Sequence, residues 1–318
     1  MSPAELWRAA GLRLGLAEPA AGTSLHAAVL WDIRLPRAVL ALAVGATLGL
    51  AGAAMQGLFR NPLADPSLIG VSAGGAAGAL LFMVFGGGLA GMAPVLTGLG
   101  LPLAAMLGGC LSTFGIYRLS LVGGRSHVAT LLLTGIAVNA LVSALVGLVV
   151  FNATDEQIRD FTFWTLGSLA HAGWRDLAVM LPLLLLLGAG LALFARPLNA
   201  LVLGEAEAHH LGFRVQATKR KLVFLSAGAV SLTVALCGII GFVGLVVPHL
   251  VRQCIGPDHR FLLPGAAVLG ASLLLGADLI ARGAVAYSEL PVGVVTAALG
   301  APFFLFLLTR TKKQLGGA

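Results

Sequence analysis

Between Asp65 and Arg118 the chain carries no charged side chain. A stretch of that length cannot coat a water-facing surface, where charged residues are concentrated. It suits lipid instead, since a hydrocarbon core ~30 Å thick asks for about 20 apolar residues per helical crossing. Gly86-Gly87-Gly88, Pro94 and Pro102 interrupt the stretch, so it is more than one helix. Similar runs recur to the C-terminus, and the pattern reads as nine segments at 38–59, 67–85, 96–117, 127–151, 177–195, 222–237, 239–251, 262–281 and 290–309. Backbone groups find no partners in lipid, so each segment is expected to be helical. The fold class is therefore an all-α polytopic membrane protein.

Composition agrees: 58% of the 318 residues are hydrophobic and 10% are charged, against about 25% charged in soluble domains. The net charge of +7 gives no nucleic-acid signal, because Lys and Arg sit in short loops between apolar runs rather than in a basic patch. Cys110, Cys237 and Cys254 lack metal-ligand spacing and read as small apolar residues. Residues 1–37 are broken by Arg8, Arg13, Glu18, Asp32 and Arg34, so they form neither a convincing signal peptide nor a span, and are expected to be external or interfacial.

The run from Leu222 to Val251 would reach ~45 Å as one helix, too long for one crossing and too short for two. It predicts a full helix, a break near Cys237-Gly238 and a half-helix ending near Pro248. Thirteen of the twenty Lys and Arg fall in the loops after segments 1, 3, 5 and 7 and in the tail, which marks that side as cytoplasmic and places the C-terminus inside. Segments 1–4 then run opposite to segments 6–9, with segment 5 linking two inverted four-helix halves.

Three stretches carry a specific resemblance. They are Ile33-Arg34-Leu35-Pro36-Arg37 leading to Gln56-Gly57-Leu58-Phe59-Arg60-Asn61-Pro62-Leu63-Ala64-Asp65-Pro66 and Gly70-Val71-Ser72; Gly241-Phe242-Val243-Gly244-Leu245-Val246-Val247-Pro248-His249-Leu250-Val251-Arg252; and Glu289-Leu290-Pro291-Val292-Gly293-Val294-Val295-Thr296 with Gly300-Ala301-Pro302. The chain resembles the permeases that serve ABC importers of ferric siderophores, haem and cobalamin. That resemblance implies a permease domain over 38–310, a basic cytoplasmic tail at 311–318, and a bacterial inner-membrane location. It also implies a first helix upstream of Arg34, which this chain starts too late to include.

The longest loop on the basic side, 197–221, holds Glu205 to His209 at helical spacing between Gly204 and Gly212, and keeps apolar residues that a solvated connector does not need. The resemblance makes this the helix that couples to an ATPase, through Leu203, Gly204, Glu205, Ala206, His209, Leu211 and Gly212. No Gly-x-x-x-x-Gly-Lys-Ser/Thr phosphate loop is present, so a separate subunit must bind ATP. The implied partners are a second copy of the chain, two ATPase subunits, a periplasmic binding protein and membrane lipid. The chain is expected to be no enzyme, and to hold no permanent cofactor and no metal.

On the opposite side, Arg34, Arg37 and Arg282 are expected to receive acidic residues of the binding protein, against the plainer readings of headgroup snorkelling and an Asp278–Arg282 helical pair. The stretch 152–173 resembles the short external helix at the pathway mouth of haem permeases. Arg159 with Phe161, Phe163 and Trp164 would suit a flat apolar macrocycle bearing carboxylates, although aromatics also belong to interfacial belts. Haem is the expected substrate, with ferric siderophore or cobalamin as alternatives. A proton- or sodium-driven transporter would want an ionisable group at membrane depth, whereas Asp278 and Glu289 lie near the external face. No nucleophile and base pair for an intramembrane hydrolase is evident.

Overall fold

The computed structural model describes residues 7–8, 11–12, 23–86, 96–170, 172–285 and 289–316. Among them the chain forms twelve helices that define the architecture. These are α1 (Leu35–Phe59), α2 (Val71–Phe85), α3 (Leu96–Leu119), α4 (Val128–Phe151), α5 (Asp155–Thr165), α6 (Trp174–Ala192), α7 (Ala195–Leu203), α8 (Glu205–His210), α9 (Val215–Cys237), α10 (Val243–Ile255), α11 (His259–Gly283) and α12 (Val292–Gly316). A two-stranded hairpin, β1 (Leu121–Val122) and β2 (Arg125–Ser126), joins α3 to α4. Upstream, Val29–Arg34 is π-helical and follows a short helix, Thr23–Ala28, so the helix before α1 continues through the Arg34 region without a break.

Among the described residues six helices have the length and apolarity to cross a membrane, and α2, α10 and the apolar part of α12 are shorter. All nine expected segments are present. Two boundaries differ for physical reasons. The run Lys219-Arg220-Lys221 is helical, so α9 starts at Val215 rather than Leu222, as good helix formers allow. The half-helix α10 does not stop at Pro248 but passes through it to Ile255, where Gly256 at φ 91° ends it. Proline removes one backbone donor, which a packed membrane helix tolerates.

The break after Cys237 is real. Residues 238–242 are non-helical, with Gly238 at φ 69° and Phe242 at φ 67°. Cys237 and Gly238 are buried, which keeps polar backbone away from lipid, and the Cys237 carbonyl accepts a hydrogen bond from Ser168 N at 2.7 Å.

Packing follows an internal pseudo-symmetry that pairs α1, α2, α3 and α4 with α9, α10, α11 and α12. The α1–α11 contact has its counterpart in α9–α3, α2–α3 in α10–α11, and α1–α10 in α9–α2. The contacts α2–α4 and α3–α4 correspond to α10–α12 and α11–α12, while α6 touches both α1 and α9. Small residues permit the closest approaches: Gly45 faces Gly270 across α1–α11, and Gly74 faces Gly108 across α2–α3. Lipid supplies little hydrophobic drive between helices, so such close packing carries much of their association.

Candidate functional site

At the hairpin end, α7 and α8 stand outside the long helices. α7 is anchored by the buried Leu198 and Leu201, and α8 by the buried Ala208. Gly204 at φ 132° and Gly212 at φ 86° make the turns that frame α8, in a region that side-chain-bearing residues rarely enter. Leu203 and Leu211 are 67% and 60% exposed, and Ala206 and His209 are exposed as well. Those four residues of the expected coupling set are all open to a partner.

Glu205 is only partly exposed. Lys219 of α9 is buried, and its ammonium donates to both Glu205 carboxylate oxygens at 2.9 Å and to the Ser126 carbonyl. The amide of Ser126 in turn donates to Gln216 Oε1 at 2.9 Å. The charge of Glu205 is thus directed inward, because a buried ammonium is costly unless it is paired. Lys219 escapes notice in the basic run Lys219-Arg220-Lys221. The available signal was its place on the helical stripe Val215, Thr218, Leu222, all buried.

A second polar cluster ties the same end together. Arg252 donates to Gln56 Oε1 at 3.0 Å, and Gln56 donates to the Leu245 carbonyl at 3.0 Å. Asn199 of α7 donates to Asp258 at 2.6 Å, while its Oδ1 accepts from the His259 backbone N–H at 2.9 Å and faces His259 Nδ1 at 2.8 Å. With its Nδ2 directed to Asp258, Asn199 offers only an acceptor to the ring, so His259 carries its proton on Nδ1. Asp258 caps α11. The Arg260 amide and Asn199 hold its carboxyl below the usual carboxylate range.

At the far end, α5 begins with a reciprocal capping box between Thr154 and Gln157, and Gln157 also donates to the Met83 carbonyl at 3.2 Å. Its C-terminus is locked by glycines. A Cβ on Gly238 would strike the Trp164 carbonyl, one on Gly167 the Ile239 carbonyl, and one on Gly293 the Leu166 carbonyl. The end of α5, the break after α9 and the start of α12 therefore touch through backbone.

The expected mouth residues do not form one platform. A helix advances ~100° per residue, which puts Arg159 and Phe163 on one face and Phe161 and Trp164 on another. Arg159 is exposed and Phe163 is 60% exposed. The Phe161 and Trp164 rings are stacked, with centroids 6.4 Å apart. Trp164 turns inward to line a cavity of ≈ 400 Å³ with Leu40, Leu101, Pro102, Leu177 and Met180.

Of the three arginines expected at this end for docking, Arg34 is exposed. Arg37 is buried, donating to Asp278 Oδ1 from Nε at 2.9 Å and from Nη2 at 2.8 Å, and to Glu289 from Nη1 at 2.6 Å. The guanidinium of Arg37 is consumed inside the chain, so docking through it is corrected to a structural role. Arg282 Nε lies 3.2 Å from the other Asp278 oxygen, the expected helical pair, although its N–H aims at the Asp278 carbonyl at 3.4 Å.

Residues 1–310 match the FecCD transport family. The hemin transport system permease protein HmuU of Yersinia pestis is 47% identical over 90% of this chain and 84% of its own length. The cobalamin import system permease protein BtuC of Halobacterium salinarum is 42% identical over 94% of this chain and 77% of its own. The vitamin B12 import system permease protein BtuC of Klebsiella pneumoniae is 44% identical, covering 89% and 83%. A solved metal-chelate type ABC transporter in an inward-facing conformation superposes with a TM-score of 0.82 at 34% identity, over 96% of this chain and 97% of that one. The chain belongs to the FecCD transport family and is a multi-pass membrane permease of an ABC importer.

Proposed function

We propose that this permease works as a homodimer in the bacterial inner membrane, receives haem from a periplasmic binding protein and moves it through the dimer interface at the expense of ATP bound by two separate subunits. The hairpin end is the cytoplasmic end, where most Lys and Arg of the loops and the tail gather. The observation that carries the reading is α8, a short rigid helix standing outside the bundle, framed by Gly204 and Gly212 and fixed from behind by Lys219. A rigid lever transmits displacement to the long helices without bending. A second copy is supported by α4, whose Leu133, Ile136, Leu141 and Leu148 are 61–71% exposed.

Haem is favoured by the hemin permease relative and by the paired Arg159 and Phe163 at the mouth, a cation for propionates beside an apolar ring. Cobalamin is the second reading, favoured by relatives of nearly equal identity. The test is uptake into proteoliposomes holding the permease and its ATPase, with hemin and cobalamin supplied separately. ATP-dependent accumulation of hemin supports the reading, cobalamin accumulation alone transfers the assignment, and ATP hydrolysis by the isolated chain removes the division of labour.

A further inference from the structure

At the cytoplasmic end the loop between α3 and α4 and the loop between α6 and α9 are one body. Lys219 binds the Ser126 carbonyl and the Glu205 carboxylate at once, and Gln216 holds the Ser126 amide. The β1–β2 hairpin cannot shift without pulling on α8. Between hairpin and helix lies an open concavity of ≈ 600 Å³, lined by Arg125 from β2, Glu205, Ala206 and His209 from α8, and Arg214, Val215, Gln216 and Ala217 at the start of α9.

Its charge is lopsided. Glu205 is neutralised by Lys219. Arg125 and Arg214 are exposed and make no ion pair among the described residues, and His209 adds a third nitrogen donor at the rim. The two guanidiniums come from different loops, which Lys219 and Gln216 hold together through Ser126.

We infer that this concavity is a two-loop docking site for an acidic side chain of the ATPase subunit, with Arg125 and Arg214 as the receiving cations. The inference rests on the proposed ATPase partnership and adds the hairpin to the contact. Guanidinium forks favour a carboxylate in bidentate geometry, and the apolar Ala206, Val215 and Ala217 of the lining suit the stem that carries it. Anionic lipid is the lesser candidate. Arg220 and Lys221, flanked by Leu193, Phe194, Phe224 and Leu225, already lie in an apolar setting for headgroup contact. Arg214 sits ~9 Å nearer the cytoplasm than Arg220 along the helix direction, at 1.5 Å per residue.

The experiment uses the full-length permease in nanodiscs and the phosphate-loop ATPase that co-purifies with it from native membranes. Affinity is measured over a salt series for the natural chain, for Arg125→Glu with Arg214→Glu, and for Arg125→Gln with Arg214→Gln. The natural chain should bind with affinity that falls as salt rises. The Glu pair should weaken binding by about tenfold or more at ~0.15 M salt, and the Gln pair should flatten the salt dependence with a smaller loss, as expected where cations steer a carboxylate. Both arginines are exposed, so melting temperatures should stay at the natural value. Natural affinity and salt slope in both variants would overturn the inference while leaving the ATPase partnership standing. No bound ATPase in the natural chain would overturn both. Loss confined to binding of phosphatidylglycerol vesicles, with ATPase affinity intact, would assign the site to lipid and sink the inference.

Discussion

Arg37 Nη2 lies 2.8 Å from Asp278 Oδ1, so a charge at the far end of α1 is neutralised by one on α11, 241 positions away in sequence. Asp278 is fully buried and Glu289, the second partner, is half exposed at the entrance to α12. Three elements converge on one guanidinium. Removing one member of a buried pair strands its partner, at a cost of ~3–5 kcal/mol. Arg282, 3.2 Å from the other Asp278 oxygen, offsets part of that cost. Arg37→Ala should therefore lower the melting temperature clearly, whereas Arg34→Glu should weaken association with the periplasmic binding protein. Equal melting curves for Arg37→Ala and the natural chain would return Arg37 to the docking surface.

Lys219→Met is expected to loosen α8 without disturbing the membrane helices. It removes the partner of Glu205 and of the Ser126 carbonyl together, a loss of about 1–3 kcal/mol for the stranded groups. Limited proteolysis should then cut between Gly204 and Gly212 faster, and ATP hydrolysis should continue with less uptake. Glu205→Gln keeps an acceptor in place and should act more weakly. Unaltered proteolysis and uptake in Lys219→Met would mean the clasp has no mechanical part.

The glycine lock makes a sharp prediction. Gly238→Ala and Gly293→Ala each put a methyl group against a backbone carbonyl, and Gly238 also holds φ 69°. Both should destabilise the fold by ~1–3 kcal/mol, seen as reduced yield and lower melting temperature. Gly276→Ala, where nothing stands within 4 Å of the added carbon, is the control and should be near neutral.

Substrate contact at the mouth should divide by helix face. Arg159→Ala and Phe163→Ala are expected to slow hemin uptake, the former by roughly fivefold, the worth of about 1 kcal/mol in an exposed charge contact. Neither should change melting. Trp164→Ala should act through stability, because its ring is half-buried against the hydrophobic core. Arg175→Ala, exposed at the start of α6, should leave uptake unaltered. Equal effects of Arg159→Ala and Arg175→Ala would dismiss the mouth assignment.

Acid should loosen the α7–α11 junction at Asp258. The Arg260 amide and Asn199 lower its carboxyl below the ordinary range, so its stabilisation is complete above the unfolded carboxylate value of ~3.9 and is lost as pH falls through the folded one. Asp258→Asn should lessen the acid sensitivity of melting below about pH 4. An identical pH profile for variant and natural chain would remove Asp258 from the account.

The apolar runs determined by themselves that this chain spans a membrane as helices, since lipid leaves backbone groups no other partner. They also located the break at Gly238, because the run from Leu222 to Val251 fits neither one crossing nor two, and the glycines at 204 and 212 marked the ends of α8. The split of Arg159 and Phe163 from Phe161 and Trp164 is likewise written in the sequence, as 100° per residue. Which face turns inward is not. Only the tertiary structure decided that Trp164 faces the cavity, that Arg37 meets Asp278 and Glu289, and that Lys219 is a buried clasp while its neighbours Arg220 and Lys221 are exposed. Local sequence fixes helix and turn through backbone hydrogen bonding and helical period. The fate of a charge depends on what packs against it from far along the chain.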